Sequence, residues 1–260
     1  MSANSDWIAW MRDTIGVDHL FQWDESSGSF NDAITSLTVP VTSGITRSQG
    51  SGLIGNTTDK SIRGTSAVVT TKSGALTLGG TDLKGPYGVG CLFKYYATPT
   101  VTEALFSMGL DGGGSRHKWA VIHHTTLTPD ALRILVPGIN FQNIEMDMPA
   151  SGLRDGNFHL LMLNYDYAVS SFWQKSIDGS VFSACGGAAM DMNSTSIDSG
   201  GGVGIEPLND AGTYDGASTG IDEFFSRSTV FEDQDAADIY DKMLVTGFPQ
   251  GNAVMAGSNF

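Results

Sequence analysis

Short apolar runs, separated by Gly, Ser, Asp and Asn, occupy most of the chain from Leu20 onward. The clearest alternation of apolar and polar positions is in two neighbouring runs, 132–136 and 144–148. A period of two is that of a strand with one buried face. The pattern therefore predicts an all-β chain. Further strands are predicted at residues 37–39, 67–70, 76–78 and 105–108.

Two other segments refine this picture. Residues 160–163 are apolar without alternation, which predicts a strand covered on both faces. The run 172–177 leads into Asp178-Gly179, a pair that favours a tight β-hairpin turn because glycine tolerates positive φ. We therefore expect a hairpin at this turn.

Helical signals appear only near the two ends. Residues Asp6–Ile15 form a turn-free stretch that Asp6 could cap and Gly16 could end. The second signal begins where acidic residues crowd around Glu232, which the helix dipole favours. Apolar residues then follow at helical spacing: Ala236, Ile239, Tyr240, Met243 and Leu244. These signals divide the chain into an N-terminal helical arm (1–19), a β domain (20–246) and a C-terminal tail (247–260).

Five segments in order resemble a known family. They are Phe21–Gly28, Gly52–Gly55, Tyr87–Lys94, Asp155–Asp166 and Gly220–Phe225. Together they are similar to the concanavalin A-like lectin and glucanase family, which includes laminin G-like domains. The chain departs from the family at Phe158, and at Leu92 or Phe93, where tryptophan is usual. The order of the segments carries the resemblance, since no single motif is specific.

The resemblance implies a concanavalin A-like jelly-roll sandwich of two antiparallel sheets, with short N-terminal and C-terminal helices. Domains of this family serve mainly as binding surfaces, often for glycans. An aromatic helix directly before the first strand is similar to the versions found in phage virion and tail proteins. The expected function is therefore a virion decoration or attachment protein that binds host glycans.

The charge composition limits the kinds of molecule that the chain is expected to bind. Lys and Arg number 14 against 28 Asp and Glu, which gives a formal charge of −14. Such a surface repels nucleic-acid phosphates and anionic membranes, while it suits divalent cations. The sequence shows no signal peptide and no membrane-spanning run. We expect synthesis in the host cytoplasm, assembly into a virion, and contacts with other virion proteins or with further copies of the chain.

The number of carboxylates on one predicted strand bears on whether the chain is an enzyme. The glucanases of this family carry three carboxylates on one strand, and Glu145 and Asp147 match the first two by resemblance. Pro149 and Ala150 occupy both positions where the third could stand. Glycoside hydrolysis needs a separate acid and nucleophile. The sequence therefore predicts a protein that is not an enzyme, with a glycan hydrolase or lyase, or a free lectin, as alternatives.

Calcium is the cofactor that the sequence suggests. Asp215, Asp222 and Glu223 lie in or near segments rich in Gly and Ser, and hard oxygen ligands suit Ca²⁺. A solvated acidic rim explains the same residues equally well. His159 is interpreted as a core or edge histidine that has its hydrogen bonds satisfied.

Aromatic residues supply the remaining candidates. Trp119 and Tyr214 are next to predicted loops and could stack on a sugar. Trp7 and Trp10 lie on the predicted N-terminal helix and must be buried somewhere. Packing on their own domain and docking on a neighbouring subunit are both open, because tryptophan is common in cores and at interface anchors.

Overall fold

The structure is a computed structural model. It describes residues 3–25, 27–35, 37–39, 45–49, 61–64, 69–70, 86–96, 103–110, 117–124, 131–136, 142–146, 150–166, 168–169, 172–185, 200–205, 208–209, 212–213 and 219–246. The predicted strand at 76–78 and the tail 247–260 lie outside these residues.

Two α-helices stand near the ends of the described chain, α1 (Ala3–Trp10) and α2 (Asp233–Thr246). A π-helical turn, Met11–Ile15, continues α1 and ends at Gly16, whose φ is 75°. Glycine adopts this left-handed conformation without the cost that a Cβ would add. The predicted helix end at Gly16 is confirmed, but the predicted cap is wrong, because α1 begins at Ala3 and Asp6 lies inside it.

Most described residues belong to strands. They are β1 (His19–Phe21), β2 (Phe30–Asn31), β3 (Thr38–Val39), β4 (Ile45–Gln49), β5 (Ser61–Gly64), β6 (Val69–Thr70), β7 (Tyr87–Tyr95), β8 (Glu103–Leu110), β9 (His117–His124), β10 (Ala131–Val136), β11 (Gln142–Met146), β12 (His159–Tyr165), β13 (Trp173–Ile177), β14 (Ser183–Ala184), β15 (Gly200–Ile205), β16 (Leu208–Asn209), β17 (Gly212–Thr213) and β18 (Thr219–Arg227).

The larger sheet has eight strands, in the order β14-β13-β12-β7-β18-β5-β4, and β1 also pairs with β18. Its strand pairs are antiparallel. Strand β18 uses one edge for β7 and divides the other edge between β5 and β1. Residues from both ends of the sequence therefore meet at β18.

The smaller sheet has six strands, in the order β11-β10-β9-β8-β15-β6. Strands β10 and β11 pair in antiparallel register, with Ile134 opposite Ile144 and Arg133 opposite Glu145. Leu132 and Ile134 are fully buried. Arg133 between them is buried as well, at 7% exposed. The first run is therefore a strand, as predicted, but its polar position is not on a solvent-exposed face.

One apolar cluster contains side chains from both sheets. Phe106 of the six-stranded sheet meets Phe224 of the eight-stranded sheet edge to face, with ring centroids 5.4 Å apart. Such aromatic contacts add to the burial of apolar area that drives folding. The two sheets thus share a core.

A second apolar cluster lies between the eight-stranded sheet and the helices. It includes Trp7 and Met11 of the N-terminal segment, Ile239 and Met243 of α2, and strand residues such as Leu160. All seven residues of β12 are buried. The prediction that residues 160–163 form a strand covered on both faces is therefore confirmed.

The C-terminal helix buries the predicted face with one exception. Ala236, Ile239 and Met243 are fully buried, and Tyr240 is half-buried. Leu244 is 49% exposed, so its assignment to the buried face is wrong. One helical step beyond Met243 turns a side chain by about 100°, which carries position 244 off the buried stripe.

Arg227, the last residue of β18, fastens both helical segments to the sheet. Its Nη1 donates to the carbonyl oxygen of Ile15 at 2.9 Å, and its Nη2 lies 2.9 Å from an Asp235 carboxylate oxygen. The guanidinium also covers the Phe231 ring at 4.4 Å. A planar guanidinium can bond in its plane and stack on its face at once.

The Asp178-Gly179 turn is the predicted hairpin turn. Both central residues have positive φ, 49° and 73°, and the Ser180 amide donates to the Ile177 carbonyl oxygen at 2.9 Å. Two positive φ values define a type I′ turn, whose twist matches that of the flanking strands. The prediction is confirmed.

Cys91 and Cys185 are both free thiols in the core. Burial raises the pKa of the Cys91 thiol far above its ordinary value. Neither described helix has the length and apolar character that crossing a membrane requires.

Trp7 is 1% exposed within the chain itself, whereas Trp10 is half-buried beside it, with ring centroids 5.6 Å apart. The Lys242 ammonium lies over the Trp10 ring at 5.4 Å. Trp7 therefore packs on its own domain, which was one of the two alternatives. A role for Trp10 at an interface stays a prediction.

We expect Trp7→Ala to lower the free energy of unfolding by about 3–5 kcal/mol, because it removes a fully buried ring from the second cluster. Trp10→Ala is the matched control and should cost clearly less. Chemical denaturation of the isolated chain measures both. Equal losses for the two variants would contradict this placement of Trp7.

Candidate functional site

His159 begins β12 at the end of the eight-stranded sheet and is held by two carboxylates. Its Nδ1 lies 2.8 Å from Oδ2 of Asp178, and its Nε2 lies 3.1 Å from Oδ1 of Asp155. The second oxygen of Asp178 accepts the Leu160 amide at 2.9 Å. We call these three residues, Asp155, His159 and Asp178, the His159 clamp.

Electrostatics in the clamp favours the charged imidazolium. Burial alone lowers the pKa of His159, but hydrogen bonds and charges from Asp178 and then Asp155 outweigh it, so the pKa is raised. Burial likewise works against ionised Asp155, yet the Asn157 amides and His159 lower the pKa of its carboxyl. The clamp is therefore a hydrogen-bonded ion triad, with one carboxylate on each ring nitrogen.

The loop before β12 presents polar groups to solvent. Asp155 accepts the backbone amide of Asn157 and its side-chain amide, both at 2.8 Å. Both residues are exposed. Their planar polar groups are thus fixed before any ligand arrives, which reduces the entropy lost on binding.

Tyr240 of α2 adds an aromatic ring to the same region. A Cβ built on Gly179 would lie 2.8 Å from Tyr240 Cβ, so the helix rests directly on the hairpin turn. Burial, followed by the charges of Asp178, Asp155 and Asp241, raises the pKa of Tyr240. We call Asp155, Asn157, Asp178 and Tyr240 the Asp155–Tyr240 surface.

The surface suits recognition better than proton transfer. A general base needs a ring nitrogen that can accept a proton from a reacting group. Both nitrogens of His159 are engaged with carboxylates. An aromatic ring beside fixed carboxylate and amide groups is an arrangement that binds sugars, because sugars present apolar faces and hydroxyl groups.

A second histidine is held in a similar way at the start of β1. Nδ1 of His19 lies 2.6 Å from Oδ2 of Asp32, and Oδ1 of Asp32 accepts the Leu20 amide at 3.0 Å. Asp32 also accepts the Thr35 hydroxyl at 2.6 Å and the Ile34 amide at 2.9 Å. Burial raises the pKa of Asp32, but these hydrogen bonds, led by His19, outweigh it and lower the pKa to about 2.

This pair of His19 and Asp32 is not apparent from the sequence. The signal present in the chain is a His-Leu pair at a strand start in both cases, His19-Leu20 and His159-Leu160. In each case the two carboxylate oxygens of one aspartate bond the histidine ring and the backbone amide of the following leucine. The aspartates follow 13 and 19 residues later, so spacing along the chain does not reveal them.

Asp222 and Glu223 lie in β18, not in a loop, and both are fully buried. Ile221 is opposite Phe93 and Phe224 is opposite Cys91, so the two acidic residues face a single residue, Leu92. This is a β-bulge. The expected solvated rim at Asp222 and Glu223 is therefore wrong, because the bulge lies inside a sheet that is covered on both faces. Gln22 Nε2 donates to Glu223 Oε1 at 3.3 Å.

The other candidates are dispersed or undescribed. The backbone of Trp119 lies in β9 opposite Met108, away from the Asp155–Tyr240 surface in the strand order. Tyr214, Asp215 and Asp147 lie outside the described residues. Within the described part of the chain, His, Cys, Asp and Glu side chains form no group of three that could hold a metal ion. A calcium site at Asp215 with Asp222 and Glu223 stays a prediction.

Comparisons with known proteins give structural neighbours only. No protein-family model and no curated protein matches the chain. Trypanosoma rangeli sialidase in complex with sialic acid superposes with a TM-score of 0.61 and 11% identity, over 90% of this chain and 34% of that chain. The binding domain of botulinum neurotoxin serotype D superposes with a TM-score of 0.57 and 10% identity, over 88% of this chain and 52% of that chain. The chain thus spans about a third of the sialidase and about half of the toxin domain.

These neighbours correct the expectation that the chain is not an enzyme. Several of the matching structures are sialidases, which are enzymes. The missing third carboxylate excludes only the glucanase arrangement, so it was too narrow a basis for excluding catalysis altogether. At these identities the likeness shows the fold and leaves the activity to be found from the site.

We expect stability to fall as pH rises above the ordinary histidine range. Protonated His159 stabilises the folded chain, because its pKa is higher in the folded than in the unfolded chain. This stabilisation is fully present below the unfolded pKa of about 6.5 and is lost as pH rises through the folded pKa. His159→Gln should cost about 1–3 kcal/mol at pH 6 and less at pH 9. Urea denaturation at both pH values measures this. A constant cost would show that protonation of His159 contributes nothing.

The depressed pKa of Asp32, about 2, predicts the opposite pH dependence. Its stabilisation is present above the unfolded value of 3.8 and is lost as pH falls through the folded value. Asp32→Asn should therefore cost about 2 kcal/mol at pH 7 and progressively less towards pH 3. Denaturation midpoints at pH 7, 5 and 3 test this, with Asp6→Asn on α1 as the control. A loss that is largest at pH 3 would contradict it.

Proposed function

We propose that this chain is a glycan-binding domain built on a concanavalin A-like sandwich of its two antiparallel sheets. The shared apolar cluster and the Phe106–Phe224 contact support the sandwich. The order of the family-like segments along the chain supports the same fold. The eight-stranded sheet would then be the sheet that carries the helices and the ligand surface.

The observation that carries this proposal is the Asp155–Tyr240 surface at the end of that sheet. The half-buried Tyr240 packs on Gly179, next to Asp178 of the His159 clamp. Asp155 of the same clamp is exposed and is held to Asn157 by two hydrogen bonds of 2.8 Å. A sugar could stack on Tyr240 while its hydroxyls bond Asp155 and Asn157. The likeness to a sialidase and to a toxin binding domain agrees with a binding role.

The proposed setting is attachment of a phage particle to its host. It is supported by the aromatic helix directly before the first strand, which is similar to the versions found in phage virion and tail proteins. In that setting the half-buried Trp10 would contact another virion protein or a second copy of the chain. Cofractionation of the chain with phage particles, compared with a Trp10→Ala variant, addresses this part of the proposal.

Catalysis on a glycan is the second candidate, and the sialidase neighbours favour it. It is tested separately from binding, by release of reducing sugar and of sialic acid from mixed glycans. Product above the level of a heat-treated sample would establish it. Variants of the Asp155–Tyr240 surface would then show whether binding and turnover share residues.

Binding to an immobilised glycan panel tests the main proposal. We expect selective binding by the full chain, reduced at least about tenfold by Tyr240→Ala and largely retained by Tyr240→Phe, which keeps the ring. Gln234→Ala, an exposed change earlier on α2, is the matched control. Repeating the panel with CaCl₂ and with EDTA tests the calcium prediction.

Two outcomes would count against the proposal. The first is no selective binding to any glycan by the folded chain. The second is binding that Tyr240→Ala leaves unchanged while its melting temperature stays that of the parent. The second outcome would move the site away from the Asp155–Tyr240 surface, and the first would remove the glycan function itself.

A further inference from the structure

We infer that the glycan bound at the Asp155–Tyr240 surface is uncharged, and that acidic sugars such as sialic acid or uronic acids are rejected. This inference rests on the proposed function and names its substrate class. It separates the chain from the sialidase whose fold it shares and whose structure holds sialic acid. The arginines, lysines and carboxylates of the described residues favour this selectivity.

Acidic sugars are usually held by arginine, because a planar guanidinium can bond a carboxylate through two parallel hydrogen bonds. Among the residues whose side chains the structure describes there are four arginines, and each is already engaged. Arg12 bonds Asp13 at 2.7 and 2.8 Å. Arg227 bonds Asp235 and a carbonyl oxygen. Arg133 and Arg154 have partners as well, and Arg133 is only 7% exposed.

Two lysines near the ligand surface and the helices are also occupied. Lys94 is 5.6 Å from the Tyr96 ring and 5.6 Å from the Phe158 ring. Lys242 lies over Trp10 at 5.4 Å. A cation above an aromatic face is attracted by the ring quadrupole, which favours that position of the side chain. Each lysine would give up part of this contact to pair with a sugar carboxylate.

The surface itself is acidic. Asp155 and Asp178 belong to it, and the exposed Asp241 is next to Tyr240 on α2. Burial, and then the charges of these three carboxylates, raise the pKa of Tyr240. His159 supplies one positive charge, but it lies between the two clamp carboxylates. The whole chain adds a formal charge of −14, which lowers the local concentration of anions.

These features of the described residues favour a ligand that brings no negative charge of its own. A neutral hexose or N-acetylhexosamine can stack on Tyr240 and donate hydroxyl hydrogens to Asp155, which accepts without penalty. A sugar carboxylate placed there would face two or three like charges and no free guanidinium in the described chain. Like-charge juxtaposition is a strong basis for rejecting a ligand.

Matched glycan pairs test the inference. The panel contains galactose-terminated oligosaccharides with and without a terminal sialic acid, and glucose-terminated oligosaccharides with glucuronate counterparts. We expect the neutral member of at least one pair to bind, and its acidic counterpart to bind at least about tenfold more weakly in 20 mM NaCl. The difference should shrink in 500 mM NaCl, because salt screens exposed charges.

A variant that removes one negative charge at nearly constant shape tests whether charge causes the difference. Asp241→Asn removes an exposed carboxylate beside Tyr240 and should narrow the gap between neutral and acidic members. Glu232→Gln, an exposed change two turns earlier in the chain, should leave that gap unchanged. Neutral and acidic members that bind equally, or an acidic member that binds more tightly, would overturn this inference and leave glycan binding standing. No binding by any member would contradict both proposals.

Discussion

The eight-stranded sheet contributes side chains to two apolar clusters, one that includes residues of the six-stranded sheet and one that includes residues of the helical segments. This constraint determines what its central strands can contain. Strands β12 and β7 are apolar on both faces, and β18 carries Phe224 towards one cluster and Phe225 towards the other. His159, Asn164 and Ser176 are buried polar residues of this sheet, and each has a hydrogen-bond partner, since an unsatisfied buried polar group is costly.

The hydrogen bonds of the buried polar residues in this sheet follow a common scheme. At the start of a strand, an aspartate from a later segment bonds a histidine ring and the next backbone amide, as Asp32 and Asp178 do. Asn164, near the end of β12, bonds both backbone groups of Phe231, each at 2.8 Å. These contacts hold loops and turns to the strand ends. The rigidity of the Asp155–Tyr240 surface is therefore a product of the same bonds that satisfy the buried sheet.

Much of the fold could be predicted from local patterns. The non-alternating run 160–163, the Asp178-Gly179 turn and the C-terminal helix are all properties of short windows, and each has the predicted structure. The bulge at Asp222 and Glu223 could not be predicted in this way, since an extra residue opposite Leu92 exists only once β7 and β18 are paired. For the same reason, the partner of His19 was not visible from its neighbours in sequence.

Because β18 joins strands from the two ends of the sequence, formation of the sheet is tied to the order of protein synthesis. His19–Phe21 pair with Phe224–Ser226 of β18, about two hundred positions later. Until those residues have been made, β1 lacks its partner strand. Contacts this distant in sequence slow folding and leave apolar surface exposed meanwhile. The β1–β18 pairing therefore completes the eight-stranded sheet only after about two hundred further residues have been made.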